Sequence, residues 1–164
     1  MSEIVPLTSI PLGKEVDIKN LSSLLQTFSE LEKVCKRENG IGLSAVQIGL
    51  PLNLFVVKFD YNSKFGPFGK FGYFLNCKYE PIGEDFVKST EGCLSIRDNG
   101  KLKFFELERH KTIRLIGKRF FVKKDVFLSD IDVILEYNSE GIVFQHEIDH
   151  QNGILISDRG RNVV

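Results

Sequence analysis

The chain has 164 residues, 42% of them hydrophobic, so it is long enough for one sizeable core and too short for two ordinary domains. Its 22 basic and 22 acidic residues give a formal net charge of zero, which argues against a nucleic-acid-binding surface. No apolar run approaches the roughly 20 residues of a membrane span. We therefore predict one cytoplasmic domain, residues 1–164, and its three widely spaced cysteines fit a reducing compartment better than a disulfide framework.

The first predicted element is an amphipathic helix that begins after Asn20 and ends at Gly40. Apolar residues recur there at helical spacing: Leu21, Leu24, Leu25, Phe28, Leu31, Val34 and Cys35. Because Cys35 lies on this apolar stripe, a packing role is favoured over a reactive one.

A glycine-rich segment, Gly40–Gly49, follows the helix. It lacks the Lys-Ser/Thr ending of a phosphate-binding loop, so we reject that interpretation. One alternative is that the glycines bring the main chain close to a ligand while Gln47 points its carboxamide into the site. The other is a buried turn in which Gln47 only bonds the main chain, and this segment alone does not separate the two.

Runs rich in β-branched and aromatic residues predict strands. The predicted strands are Leu52–Phe59, Tyr73–Leu75, Lys111–Ile116, Phe120–Phe121, Val126–Leu128 and Ile131–Leu135. Between the first two lies a segment, residues 62–72, in which Phe and Gly alternate. We favour a hairpin excursion that folds onto its own aromatic rings, with a lid that touches the substrate as the alternative.

The hexapeptide Gln145–His150 contains the residues best suited to bind a metal and to catalyse a reaction. On a helix, His146 and His150 project from one face a single turn apart, where two imidazoles can bind one metal ion. Glu147 is angled away from that ion but can reach a water on it, which is the arrangement of metal-assisted hydrolysis. The alternative is that this short motif occurs by chance on a solvent-exposed helix, but the apolar residues around it disfavour that interpretation. Asn138 or Ser139 can cap this helix, and Gly153 fits its end.

Cys93, in the segment Glu91–Ser95, is either a nucleophile or a metal ligand. The two-histidine helix favours the ligand, because a third protein ligand would leave one open position on a four-coordinate ion. Gly92 allows a close approach at this point.

These three segments, Gly40–Gly49, Glu91–Ser95 and Gln145–Gly153, resemble the three signature motifs of the peptide deformylases in order and spacing. The resemblance implies an α+β fold with mostly antiparallel strands around a central metal-binding helix. It also implies a hydrolase of protein biosynthesis that removes the formyl group from the N-terminal formyl-methionine of new polypeptides.

The resemblance further implies roles for individual residues of this chain. Cys93, His146 and His150 would bind the metal, with water as the fourth ligand, and Glu147 would be the general acid and base. Gln47 and the Leu94 N–H would stabilise the oxyanion. The ion would be Fe(II), with Zn(II) or Ni(II) as alternatives in the isolated protein. Glu91, Asp149 and Arg109 would support the ligands from behind.

The substrate side chain should enter an apolar pocket, because methionine is unbranched and apolar. Candidate residues lie beside the site residues: Ile41, Gly42, Gly92, Leu94, Ile142 and Val143, with the Gly42 main chain pairing with the extended substrate. Plain core packing is the alternative for each apolar side chain.

The chain departs from the family pattern at Ser44, where alanine is usual, at Gln151, where leucine is usual, and at Arg97, which replaces a proline. Only eleven residues follow Gly153, whereas many bacterial deformylases continue into a C-terminal helix, and this argues against docking to the ribosome through such a helix. Two other hypotheses are a different metallohydrolase with the same helix motif and a non-catalytic metal module. Cys93 as third ligand and the Gln47 loop disfavour the first, and the presence of both Glu147 and Gln47 disfavours the second, because neither is needed merely to hold a metal.

Overall fold

The computed structural model describes residues 2–122, 125–137 and 139–163 and shows an α+β fold with two sheets and two long helices. All pairings between its named strands are antiparallel. The predicted fold class is therefore confirmed. Within the described ranges, no helix is long and apolar enough to cross a membrane.

The helices are α1 (Leu21–Arg37), α2 (Ser139–Gln151) and α3 (Ile156–Arg159). The strands, in chain order, are β1 (Gly42–Ser44), β2 (Leu54–Lys58), β3 (Phe71–Pro81), β4 (Phe86–Asp98), β5 (Lys101–His110), β6 (Thr112–Val122), β7 (Val126–Glu136) and β8 (Arg161–Asn162). The larger sheet has the order β1-β2-β3-β6-β7, and the smaller one has the order β4-β5-β8.

Strand β2 lies at the centre of the packing because both of its faces are buried. Leu54 and Val56 belong to the apolar cluster that contains α1, whereas Phe55 and Val57 belong to the cluster that contains Phe144 of α2. Successive side chains of a strand point to opposite faces, so one uninterrupted apolar run serves both helices. The sheet thus fixes α2 from one side.

Helix α1 confirms the predicted apolar stripe and begins after Asn20, whose side chain accepts a hydrogen bond from the Ser23 N–H. The predicted end at Gly40 is too late, because the helix stops at Arg37. Asn39 adopts a left-handed conformation, with φ of 56°, and turns the chain before the glycine is reached.

Helix α2 is enclosed on all sides, since none of its residues from 140 to 151 is exposed. A helix without a solvent face needs partners for its polar side chains, and those partners form the site described below. Gly153 has φ of 72° just beyond its end, as predicted. Of the predicted caps, residue 138 lies outside the described residues, and so does the side chain of residue 139.

Two pairs of predicted strands merge into single long ones, β6 and β7, which pair over eleven residues. Gly117 lies in the middle of β6 and interrupts its alternation of apolar residues. A larger residue would not fit there, because a Cβ would lie 2.5 Å from the sulfur of Cys77. The β3–β6 register shifts at the same point, between Leu75 and Lys78. In the sequence, the glycine required by this bulge resembles the end of a strand, which is why β6 was predicted as two separate strands.

The segment 62–72 leads from β2 into the start of β3, and its rings pack on aromatic residues outside the segment, whereas the sequence favoured packing onto its own rings. Phe65 packs on Phe74 and Phe144, with ring centroids 5.3 Å away in both cases. Phe68 instead stacks on Tyr61 at 3.8 Å and is 55% exposed. Contact of this segment with a substrate stays a prediction.

Candidate metal centre and active site

Three predicted ligands meet at the inner face of α2. His146 and His150 lie one turn apart, with ring centroids 4.8 Å apart, and Cys93 approaches them from β4. The candidate ligand atoms of the three residues all lie within 4.8 Å of one another, and the Cys93 sulfur is 3.3 Å from Nε2 of His150. Since Zn–S and Zn–N bonds are about 2.3 and 2.1 Å long, one ion can be reached by all three ligands.

A gap in strand pairing lets Cys93 face the helix. The β4–β5 ladder runs to Gly92, opposite Phe104, and resumes at Arg97, opposite Leu102. Four residues of β4 therefore face a single residue of β5, an unusually large bulge. Cys93 and Leu94 lie in this bulge, so their main-chain groups are not used by the register pairs of the sheet.

A buried ionic network holds the histidine side of the site. Oε2 of Glu91 lies 2.8 Å from Nδ1 of His146, which leaves the other ring nitrogen for the metal side. Arg109 donates two hydrogen bonds of 2.8 Å to Glu91 and one of 2.6 Å to Asp149. Tyr79 donates a further hydrogen bond of 3.1 Å to Asp149. The sequence placed Glu91, Arg109 and Asp149 behind the ligands, and the structure brings them together there.

Electrostatics make this site suitable for a cation. Burial raises the pKa of Glu91, but the hydrogen bonds from Arg109 and His146 outweigh it and lower that pKa to about 2. Burial also lowers the pKa of His146, yet its contacts with Cys93 and Glu91 raise it to about 10, so this position favours a positive charge. For His150, burial lowers the pKa well below the ordinary value, which keeps a ring nitrogen lone pair free for a metal. The donor set therefore fits a divalent ion.

Glu147 lies beside the ligands and is only 3% exposed. Burial raises the pKa of its carboxyl to about 7, a value at which a carboxyl can both take and give a proton near neutral pH. A Cβ on Gly42 would collide with Oε1 of Glu147, so a side chain at this position would displace the Glu147 carboxyl. Oε2 of Glu147 has no hydrogen-bond partner among the described residues.

Gln47 reaches the same site from a short 3-10 turn, Ala45–Ile48. Its Oε1 accepts a 2.9 Å hydrogen bond from the N–H of Ser44, which fixes the carboxamide with its nitrogen toward the ligands. That nitrogen donates to Oγ of Ser95 at 3.0 Å and lies 3.7 Å from the sulfur of Cys93. One end of Gln47 therefore bonds the main chain while the other faces the candidate ligands, so the side chain does not only bond the main chain.

The predicted substrate residues line one cavity of about 350 Å³ next to the ligands. Its wall contains Ile41, Gly42, Gly92, Leu94, Ile142 and Val143, together with Gln47, Glu91, His146 and Glu147. The sequence missed Ser89, Thr90 and Phe104, which line it as well. A signal for Phe104 existed, since Asn99-Gly100 predicts a β-hairpin that would fold β5 onto β4. The bulge at residues 93–96 hides the register that places Phe104 opposite Gly92.

An α+β fold that sets a two-histidine helix against a cysteine and a buried glutamate defines a metal-dependent hydrolase. The sequence profile of the polypeptide deformylase family matches residues 9–163. Peptide deformylase 1 of Corynebacterium efficiens is 31% identical over 140 residues, which cover 84% of this chain and 72% of that protein. Peptide deformylase of Borreliella burgdorferi is 29% identical over 151 residues, which cover 88% and 78%.

Solved structures agree with the sequence comparison. The crystal structure of peptide deformylase from Thermotoga maritima superposes with a TM-score of 0.77 at 26% identity and covers 97% of each chain. The chain belongs to the polypeptide deformylase family. It is a metallohydrolase that removes the N-formyl group from the formyl-methionine of newly made polypeptides, which selects one of the three hypotheses drawn from the sequence.

Proposed function

We propose that Cys93, His146 and His150 hold the single divalent ion of this deformylase and that Fe(II) is its native ion. The observation that carries this proposal is the convergence of the three ligand atoms within 4.8 Å, beside a buried glutamate. A thiolate and two imidazoles also suit zinc and nickel, so Zn(II) or Ni(II) can occupy the isolated protein. When bound, such an ion acts as a Lewis acid that makes water nucleophilic near neutral pH.

Glu147 is the proton carrier in this proposal. Its carboxylate takes a proton from the attacking water and returns it to the nitrogen of the leaving amine, so that formate and a free N-terminus are the products. The pKa of about 7 supports both steps, because it lies near the working pH. The site excludes bulk water from this carboxyl, since Glu147 is buried.

Gln47 and Leu94 stabilise the carbonyl oxygen as it gains negative charge. The Gln47 nitrogen already lies beside Cys93, and its carboxamide is held by the Ser44 N–H, so it needs little reorganisation. The N–H of Leu94 belongs to the bulge of β4, outside the paired register with β5. Each such donor contributes about 100- to 1000-fold to kcat.

The cavity beside the ligands takes the methionine side chain, and Ile41, Ile142 and Val143 form its apolar wall. Strand β1 is the last strand on its side of the larger sheet, so the main chain of Gly42 has an edge to which an extended peptide can pair. Gly92 lets the peptide approach β4 closely. We further propose that residues 1–164 act as one catalytic domain in the cytoplasm of a bacterial or phage-infected cell, and contact with the ribosome stays a prediction.

The test is turnover of a formyl-Met-Ala-Ser peptide by protein prepared without oxygen, with metal content measured. Glu147→Ala should keep its metal and lose at least about 100-fold in kcat. Glu140→Ala is the matched control, since Glu140 is also a buried glutamate of α2 but bonds Ser63 instead of facing the ligands. An equal loss of kcat in both variants, or none in Glu147→Ala, would contradict the role of Glu147.

A further inference from the structure

Two buried side chains, Ser44 and Gln151, form a chain of hydrogen bonds that ends at Glu147. Nε2 of Gln151 donates to Oγ of Ser44 at 2.9 Å and to the main-chain oxygen of Leu54 at 3.2 Å. Oγ of Ser44 in turn donates to the main-chain oxygen of Glu147 at 2.9 Å. Ser44 is completely buried and Gln151 almost so. The chain therefore links β1, β2 and α2 away from water.

Chemistry fixes the direction of each of these bonds. The carbonyl oxygens of Leu54 and Glu147 can only accept, so Gln151 must turn its nitrogen toward Leu54. The single hydroxyl proton of Ser44 then goes to Glu147, and its lone pairs are left for Gln151. Reorienting the hydroxyl would leave a buried donor without a partner, which proteins rarely tolerate.

Gln151 itself is held from the opposite side. The main-chain oxygen of Gln151 accepts a 2.8 Å hydrogen bond from the Gly13 N–H, and a Cβ on Gly13 would collide with its side chain. The carboxamide is thus confined between the N-terminal segment and Ser44. It has little freedom to release the hydroxyl that it orients.

Ser44 is connected to both groups that flank the reacting carbonyl. Its hydroxyl bonds the main chain at Glu147, and its N–H bonds Oε1 of Gln47 at 2.9 Å. The distance between the proton carrier and the oxyanion donor is consequently set through one residue. A shift of about 1 Å in such a distance can cost roughly 100-fold in rate.

We propose that Ser44, oriented by Gln151, is a positioning residue for deformylation. This inference rests on the roles proposed for Glu147 and Gln47. Ser44 touches neither the substrate nor the ion in this scheme, and it acts by holding α2 and the Gln47 turn at a fixed spacing. A purely stabilising bond between β1 and α2 would change the melting temperature and leave kcat unchanged, so the two roles can be separated.

The experiment is a double-mutant cycle of Ser44→Ala, Gln151→Leu and the combined variant, with kcat and KM measured on formyl-Met-Ala-Ser. Ser44→Ala should lower kcat by at least about tenfold, with KM within about threefold of the wild type. Because Gln151 acts through Ser44, adding Gln151→Leu to Ser44→Ala should lower kcat no further. The combined variant removes the Gln151 amide together with the Ser44 hydroxyl that accepts from it, so no buried N–H or O–H of this pair loses its partner. It is therefore the variant to test if Ser44→Ala alone fails to fold.

Tyr73→Phe serves as the control, because it also removes one hydroxyl, which bonds Glu32 of α1 rather than the site. It should lower the melting temperature without changing kcat. Bound metal is measured in every variant. The inference is overturned if Ser44→Ala keeps kcat within twofold, if the two single losses multiply, or if lost metal accounts for the whole effect. Glu147→Ala, assayed alongside, tests the proposed acid and base separately from this outcome.

Discussion

Replacement of Arg109 by methionine is the sharpest perturbation of the ionic network behind the ligands. Its guanidinium is fully buried and makes three hydrogen bonds to Glu91 and Asp149. The variant removes both of these buried ion pairs. Among the described residues, Glu91 then keeps only His146 as a basic partner, while Asp149 keeps only the more exposed Arg159, at 3.4 Å. Removing one partner of a buried ion pair costs about 3–5 kcal/mol, and the double pairing places Arg109→Met in the upper half of that range. For a chain of this size, about 4–5 kcal/mol corresponds to a fall in Tm of about 8–20 °C.

The assay is thermal unfolding followed by circular dichroism on metal-free protein, so that ion binding does not add to stability. Arg114→Met is a matched control, because Arg114 also makes a two-point contact with a carboxylate, at 2.7 and 2.6 Å to Asp132. That pair is exposed, so the control should show no clear change in Tm. In a separate titration against a chelator, Arg109→Met should bind metal about 10- to 100-fold more weakly, because Glu91 loses the group that orients it. Equal Tm values for the two variants would refute the reasoning.

Two further predictions concern Gln47 and the segment 62–72. Gln47→Glu keeps the shape and the acceptor of the Ser44 N–H but loses the donor, so steady-state assays should show kcat lower by about 100- to 1000-fold, and a loss below tenfold would exclude an oxyanion role. Phe65→Ala should reduce the free energy of unfolding by about 2–3 kcal/mol, because the ring of Phe65 packs on Phe74 and Phe144. This loss is somewhat smaller than that expected for a fully buried phenylalanine, since Phe65 is only partly buried. Phe68→Ala should change stability little, and urea titrations of both variants would expose an error if their order were reversed.

Local periodicity accounts for the helices and strands that could be predicted from the sequence, whereas the fold class and most residue roles came from the family resemblance. A spacing of four residues was enough to place His146 and His150 on one face of α2, and the burial of both faces of β2 follows from its uninterrupted apolar run. The features that the sequence analysis missed depend on how the strands are paired. Phe104 reaches the cavity only because β4 and β5 pair around a bulge, and β6 continues through Gly117 because the glycine fits against Cys77.

Long-range pairs are beyond the reach of a single sequence. Ser44 and Gln151 look like two unrelated departures from the family pattern, and yet they are hydrogen-bonded to each other across 107 positions of the chain. Local propensity carries no information about such a contact, since it arises only when β1 packs on α2. The position of Arg109 was predicted only through the family resemblance, because its buried charge is explained by Glu91 and Asp149 rather than by its neighbours in β5.

The position of α2 after β4 in the chain has a consequence for the order of events during synthesis. Cys93 is made long before Ser139–Gln151, so a growing chain carries one ligand well before the two histidines emerge. Contacts of such large sequence separation form late in folding, and a metal site of this kind does not exist in the unfolded chain. Binding of one ion by all three proposed ligands therefore requires the chain from β4 to α2 to be made and folded.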